Sequence, residues 1–236
     1  MEIKKTRIIE ASILAIGLIV LGLCLKGGID NFVNKDRKVT VKGLAEMEVE
    51  ANHVTWPIVT KETGNDLPSL YNTIDTKTTR IVQFLKDNGV KEADISINPP
   101  VVVDKNATDY NSERSADRYN ITSVITVSST EVEKVRGIIE KQGELLRDGI
   151  AIVDGGYENP VSYEYTSFAE IKPKMMDDAI ESAKKTAVQF AEKGGMKLNK
   201  IETADQGVFS IEDRDENSPH IKQLRVVTTI TYSLDD

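Results

Sequence analysis

The 236-residue sequence predicts an α+β fold: a largely antiparallel sheet arrangement with three main helices layered on it, preceded by one N-terminal transmembrane or signal helix. Three observations predict it. Stretches of period-2 alternation succeed one another in pairs, so strands succeed strands without an intervening helix. Three segments carry apolar residues at helical spacing, two of them closed by glycine. The resulting order, β-β-α-β-β-α-β-α-β-β, departs from the strict strand–helix alternation of a parallel doubly wound sheet.

At the N-terminus, Ala11 to Leu25 carries no charge and comes after Lys4, Lys5 and Arg7. A basic flank ahead of an apolar segment places the rest of the chain on the far side of a bacterial-type membrane. The 15 uncharged residues fall short of the roughly 20 that span a bilayer core. Reaching back to Ile8 and Ile9 takes in Glu10, which is tolerable only near the interface. The run also fits the apolar segment of a signal peptide, about 7–15 residues. Leu25 stands where a cleavage site wants a small side chain, although Gly27-Gly28 leaves a poor site. Residues 1–26 therefore read as an uncleaved membrane anchor, with a cleaved signal as the alternative. Cys24 is the single cysteine. It sits in a lipoprotein-like Leu21-Gly22-Leu23-Cys24, but Leu23 occupies the place of a small residue, so Cys24 reads as part of the apolar helix. A lone cysteine excludes an intramolecular disulfide and any multi-cysteine zinc site.

Residues 27–38 are polar, begin with Gly27-Gly28, and read as a tether to an exported domain over 39–236. Lys4, Lys5, Arg7 and Lys26 outnumber Glu2 and Glu10 by two, so with −8 on the whole chain the remainder carries −10. Phosphate binding needs clustered Lys and Arg, which sets aside nucleic acid and a peripheral membrane-binding face. The membrane is a partner through the N-terminal helix alone.

Within the domain, Met47, Val49 and Ala51 alternate with Glu46, Glu48 and Glu50, a half-buried strand with a charged outer face. Val54 to Thr60 continues as a strand in which Pro57 demands an edge or a bulge. Leu67, Leu70, Tyr71, Ile74, Ile81, Phe84 and Leu85 recur at helical spacing, and Gly89 after Asn88 stops the helix. Ile95 to Val103 is extended but interrupted by Pro99-Pro100, and Asp104 to Asp117 is a polar loop. Tyr119, Ile121, Ser123, Ile125 and Val127 line one face of a strand. Val132 to Leu146 is a second amphipathic helix opening near Thr130. Ile150 to Val153 is a short apolar run, and Val161, Tyr163 and Tyr165 alternate with polar neighbours. The third helix runs from Pro173, suited to a first turn, to Gly194-Gly195. Ala179, Ala183, Ala187 and Ala191 recur every fourth residue in it, flanked by Met176, Ile180 and Phe190, and small side chains at that spacing allow close packing. Leu224, Val226, Thr228, Ile230, Tyr232 and Leu234 share one face of a long final strand, able to pair with a neighbour if it lies at an edge.

Candidate chemistry is sparse. His53 and His220 are the two histidines, far apart and without a cysteine between them; His220 beside Pro219 reads as solvent-exposed. Glu212, Asp213, Asp215 and Glu216 form an oxygen-rich stretch of the kind Ca²⁺ takes. The spacing of an EF-hand is absent, however, and Arg214 in its midst repels a cation. The stretch reads as a solvated loop between two strands. Trp56 could stack on a ligand but reads as a core or interface residue. Gly155-Gly156 and Gly194-Gly195 lack the spacing and lysine of a phosphate loop, and no Gly-x-Ser-x-Gly element occurs. Asn106-Ala-Thr108 and Asn120-Ile-Thr122 match glycosylation triplets, which mean little if the host is bacterial. The sequence assigns no catalytic, cofactor-binding or metal-ligating residue and implies no cofactor.

In their order along the chain, these pieces resemble the SIMPL-domain family of bacterial envelope proteins. The resemblance spans roughly Lys38 to Leu234. It rests on Val39-Thr-Val-Lys-Gly43 leading to Ala45-Glu-Met-Glu-Val49, on Phe84-Leu-Lys-Asp-Asn-Gly-Val90 before Asp94-Ile95, on Tyr119 opening a strand, on the alanine helix, and on the strand from Val226 to Tyr232. Ala51-Asn52-His53 stands where many members carry Pro-Asp. The resemblance implies an exported, periplasmic α+β domain that tends to self-assemble and is linked to oxidative-stress tolerance. It brings no catalytic residues. The expectation is a non-enzymatic, membrane-tethered envelope protein whose residues 39–236 form a homo-oligomer larger than a dimer. The alternative is an envelope ligand-binding protein or small enzyme whose site the sequence does not display. A concave pocket holding titratable groups would favour the alternative, and an exposed apolar patch would favour assembly.

Overall fold

A computed structural model of the chain describes residues 14–29, 37–108, 116–153 and 155–235. The basic flank of Lys4, Lys5 and Arg7, residues 30–36 of the expected tether and 109–115 of the expected polar loop lie outside the described residues. Helix α1 covers 14–29 and takes in Gly27 and Gly28. Among the described residues no helix is long and apolar enough to cross a membrane. The remainder mixes helices with antiparallel sheets. In chain order come β1 (Lys38–Glu50), β2 (His53–Gly64), α2 (Leu67–Asp87), β3 (Ile95–Ile97), β4 (Val101–Asp104), the short α3 (Lys105–Thr108) and β5 (Tyr119–Ser129). After them come α4 (Val132–Glu140), α5 (Gly143–Arg147), β6 (Ser162–Glu164), α6 (Phe168–Lys193), β7 (Lys197–Asp205), β8 (Phe209–Asp213) and β9 (Ile221–Asp235). Two compact units result: one from Met1–Met47, Ala169–Ser210 and Leu224–Asp236, the other from Glu48–Phe168 and Ile211–Gln223.

The second unit is organised on a sheet of order β3-β5-β2-β6, with β4 also on β5. Its backbone is the antiparallel β2–β5 ladder, from Val54 opposite Ser129 to Gly64 opposite Tyr119. The alternation read in β5 is met: Ile121, Ser123, Ile125, Val127 and Ser129 are buried while the residues between them are not. Helix α2 starts at an Asp66 cap whose carboxylate accepts from the Ser69 N–H at 3.2 Å. It stops at Gly89, whose φ of 83° suits a residue without a Cβ. Its buried face, Ile81, Phe84 and Leu85, joins Val54, Trp56, Ile58, Val127, Val135, Ile138 and Leu145 in the main core.

Two details differ from the sequence reading. The helix expected over Val132–Leu146 is broken into α4 and α5, because the N–H groups of Lys141 and Gln142 turn back to Ile138 and Ile139, three residues away, which tightens the chain out of α geometry. The cap is Glu131 rather than Thr130, and its side chain makes no capping bond; the Glu131 N–H donates to Ser129 Oγ instead.

In the first unit the sheet order is β1-β9-β7, with β8 also on β9. All six residues read as one face of the final strand are buried. Strand β9 is interior rather than at an edge, with β1 on one side and β7 and β8 on the other, so its backbone groups are paired within the sheet and it cannot recruit a neighbour. Ala179, Ala183, Ala187 and Ala191 are at most 1 % exposed, and Gly43 of β1 lies so near that a Cβ there would stand 1.9 Å from the Ala179 carbonyl oxygen. The four-residue row continues backward to Met175, also 1 % exposed. The flanking residues expected beside the alanines are not its partners: Ile180 and Phe190 are exposed. Helix α6 begins at Phe168, so Pro173 lies inside it rather than in its first turn, and the missing N–H leaves the Ala169 carbonyl without its i+4 donor.

Candidate functional site

The best-formed concavity of the second unit exists because of Pro57. Val59 offers its carbonyl to the Val153 N–H at 2.9 Å, so the backbone polar groups of odd-numbered β2 residues face the edge away from β5. Pro57 shares that parity and has no N–H to offer, which meets the expected edge placement. Strand β6 pairs β2 only from His53 to Thr55, and Val153 rejoins it at Val59. Between these points the chain swings away from Pro57. Gly155 is needed in the detour, since a Cβ there would stand 2.2 Å from the Asn159 carbonyl oxygen. The Asn159 N–H donates to the Gly155 carbonyl at 3.2 Å and closes the turn.

The space left is about 350 Å³. Trp56 and Pro57 contribute from β2, Ile139, Gln142 and Leu146 from the α4–α5 segment. Ile152, Val153, Gly155, Asn159, Pro160 and Val161 close the remaining side. Trp56 is 2 % exposed and belongs to the core, as read from the sequence, yet it also lines this pocket. None of the described lining residues is ionisable.

The residues that the sequence singles out lie elsewhere. His53 Nε2 is 3.1 Å from Ser128 Oγ, while its buried Nδ1 has no partner among the described residues. The His220 carbonyl accepts from the Ala51 N–H at 2.8 Å, and its ring meets Tyr163 edge-on at 6.2 Å. His220 is thus packed rather than free in solvent. Among the described residues no three His, Cys, Asp or Glu side chains assemble as metal ligands.

The acidic stretch is partly strand, since β8 extends to Asp213, and the turn proper holds itself together. Asp213 pairs with Lys222. Arg214 Nε donates to Asp215 at 3.0 Å and its second amino group to Ser218 Oγ at 2.9 Å. The guanidinium holds the Asp215 carboxyl below its ordinary range. Asn120 is in β5 with its side-chain oxygen buried and unpartnered among the described residues, and Asn106 is exposed on α3.

A second surface stands out by its apolarity. Strands β3 and β4 each pair with β5, and the exposure of Ile97 (55 %), Val101 (63 %), Val102 (43 %) and Val103 (42 %) is high for such residues. Ile97, Pro99 and Pro100 share a smaller cleft with Tyr71 of α2. Val102, opposite Ile121, lies on the same helix-facing side as Ile97, whereas Val101 and Val103, opposite Thr122 and Asn120, lie on the other face. Apolar side chains therefore stand bare on both sides of this edge. Asp104 ends it in a two-pronged contact with Arg118 at 2.7–3.1 Å.

Together the fold and its surfaces define an α+β protein with two antiparallel sheets, a pocket beside Pro57 and an apolar sheet edge. The chain belongs to the SIMPL family, described as proteins of unknown function (DUF541), which matches residues 39–229. Among curated proteins none matches the chain. Sequence reading found the family but not the pocket. Gln142, Leu146 and Asn159 carry no signal beyond the neighbouring Gly155-Gly156 pair, because the pocket draws on β2, α4–α5 and a loop that are distant in sequence.

Proposed function

We propose that the chain is a non-enzymatic, membrane-tethered SIMPL protein of the bacterial envelope that self-assembles through its exported domain and serves stress tolerance. The observation that carries the assembly reading is the apolar edge strand β4. Its Val101, Val102 and Val103 are exposed on both faces beside the exposed Ile97 of β3, the kind of sheet edge that marks contact with another chain. Support for the tether is the uncharged run from Ala11 to Leu25 behind Lys4, Lys5 and Arg7, whose large apolar side chains from Leu14 to Leu25 are exposed in α1. The domain lies on the periplasmic side of an inner membrane in this reading; a cleaved, secreted periplasmic form is the variant of it.

Two measurements test the proposal. Light scattering on residues 39–236 is expected to give a species larger than a dimer, and Val102→Lys, at an exposed position, is expected to reduce its size while leaving the monomer folded. Only monomer at micromolar concentration would remove the assembly reading. A reporter fused after Lys38 is expected to be active only outside the cytoplasm, with the protein resisting extraction by high salt. A mature chain starting near Gly28 would keep the address and remove the anchor.

A further inference from the structure

We infer that the end of α6 and its turn into β7 form a docking surface for an amphipathic helix of a partner protein, one with an acidic residue at its N-cap. The inference does not rest on the β4 edge and stands if assembly there fails. It follows from a repeat within the chain. The series β2-α2-β3-β4-β5 and β1-α6-β7-β8-β9 share one topology: the first strand pairs the last, and both middle strands pair the last strand's other edge. The match extends to single residues. Val82-Gln-Phe84 recurs as Val188-Gln-Phe190, Gly89 and Lys91 as Gly195 and Lys197, and Ile95 as Ile201, all at one spacing. Both helices also close with the same bonds. The Asn88 and Gly194 N–H groups donate to the Phe84 and Phe190 carbonyls, and those of Val90 and Met196 to the Leu85 and Ala191 carbonyls.

In the second unit α4 covers this corner. Phe84 and Val90 are 2 % and 7 % exposed, in one core with Val132, Val135 and Ile138, and Ile95 packs against it. A Cβ on Gly89 would stand 3.2 Å from Lys134 Cε of α4, and Lys91 donates to Glu131, the residue at the helix N-cap. In the first unit the counterparts are bare. Phe190 is 60 % and Ile201 52 % exposed, Met196 is half-buried, and a Cβ on Gly195 would meet nothing within 4 Å. Ile201 lies opposite the buried Tyr232 as Ile95 lies opposite the buried Val127, so both point to the helix side of their sheets. What fits is a helix built as α4 is, apolar at the spacing of Val132, Val135 and Ile138 behind an acidic cap. Lys197 supplies the complementary charge. Asp235 stands opposite it in the β7–β9 ladder, and an ammonium has three donors to share. A second copy is the poorer occupant: its α2, α4 and α6 already bury their apolar rows, and its α1 holds no carboxylate over residues 14–29.

The probe is the covering helix itself, a synthetic peptide of Thr130 to Gln142 with a helix staple joining positions 133 and 137, away from Val135 and Ile138. Fluorescence anisotropy is expected to show saturable binding to the full chain in detergent micelles. Phe190→Lys and Ile201→Lys, both at exposed positions, are each expected to weaken binding at least about tenfold with the melting temperature unchanged. Val135→Glu in the peptide is expected to do the same. Lys197→Glu is expected to weaken binding about two- to fivefold, the worth of an exposed charge pair. The inference is overturned by absent binding, or by any of these four changes leaving affinity as before in a folded protein. It also falls if the peptide stays unbound while Phe190→Lys shrinks a self-assembled species in light scattering, which would assign the surface to a second copy.

Discussion

The two units cover an antiparallel sheet with a helix by opposite means. In the first, the buried row on α6 is Met175 and four alanines, so the sheet supplies the large side chains, Val41 of β1 with Ile230 and Tyr232 of β9, and Gly43 lets β1 come up to the α6 backbone. In the second, α2 and α4 meet the sheet through Trp56, Ile58, Phe84, Leu85, Val127 and Ile138, a full layer of large side chains. The first arrangement gains close backbone contact at Gly43, with its large apolar side chains coming from the sheet alone. The second gains area, at roughly 25 cal/mol per Å² removed from water, and depends on side chains filling the gap. A small-residue seam should therefore fail on additions, and a large-residue core on deletions.

The harshest test of the seam is Ala183→Glu. The site is 0 % exposed, and a carboxylate there can be neither solvated nor paired, so a loss above about 4 kcal/mol is expected by urea denaturation. A variant that unfolds normally would mean that α6 lifts readily from the sheet, and the contrast would collapse. The complementary deletion is Leu85→Ala, also 0 % exposed, with an expected loss of about 2–5 kcal/mol for lost transfer energy plus cavity. Costs under about 1 kcal/mol would show the second core to be loosely filled.

Gly43→Ala sharpens the comparison further, since it adds one methyl where the Ala179 carbonyl oxygen stands 1.9 Å away. Backbone must shift, and a loss of about 1–3 kcal/mol is expected. The same change at Gly137, where nothing lies within 4 Å, should cost nothing and gain about half a kcal/mol or slightly more from helix propensity.

The smallest effect expected lies on the surface of the second unit. Hydrogen bonds from Lys91 and then Lys134 bring the Glu131 carboxyl from 4.5 down to about 2. A depressed carboxylate pKa adds stability that is fully present above pH 4.5 and is lost as pH falls toward 2. Glu131→Gln should flatten that limb of the stability–pH curve slightly, and salt should do the same, because the cluster is exposed and screened. An unchanged acid limb would show the cluster to be energetically silent.

Much of the fold is legible in the chain. Period-2 alternation names the buried face of β9 and β5 correctly, since side-chain direction in a strand is a local property. Proline's missing donor places Pro57 at an edge, Pro99-Pro100 splits β3 from β4, and Asn88-Gly89 ends α2, each from backbone chemistry that needs no partner. The alanine row announces close packing. It does not reveal that Met175 rather than Met176 extends it, because only the sheet decides which face of a helix is covered. The first turn of α6 escapes sequence reading for a similar reason: Pro173 is tolerated inside a helix whose surroundings hold it, against its local preference.

Sequence alone thus determined most of the strand and helix inventory, the family, and the charge order from which export is proposed, because periodicity, turn chemistry and charge are written along the chain. Tertiary structure decided which strand is interior, where apolar surface stays bare, and that Pro57 opens a pocket between segments as distant as Trp56 and Val161. Those depend on which backbone edges find partners, and pairing is a property of chain segments brought together only by the fold.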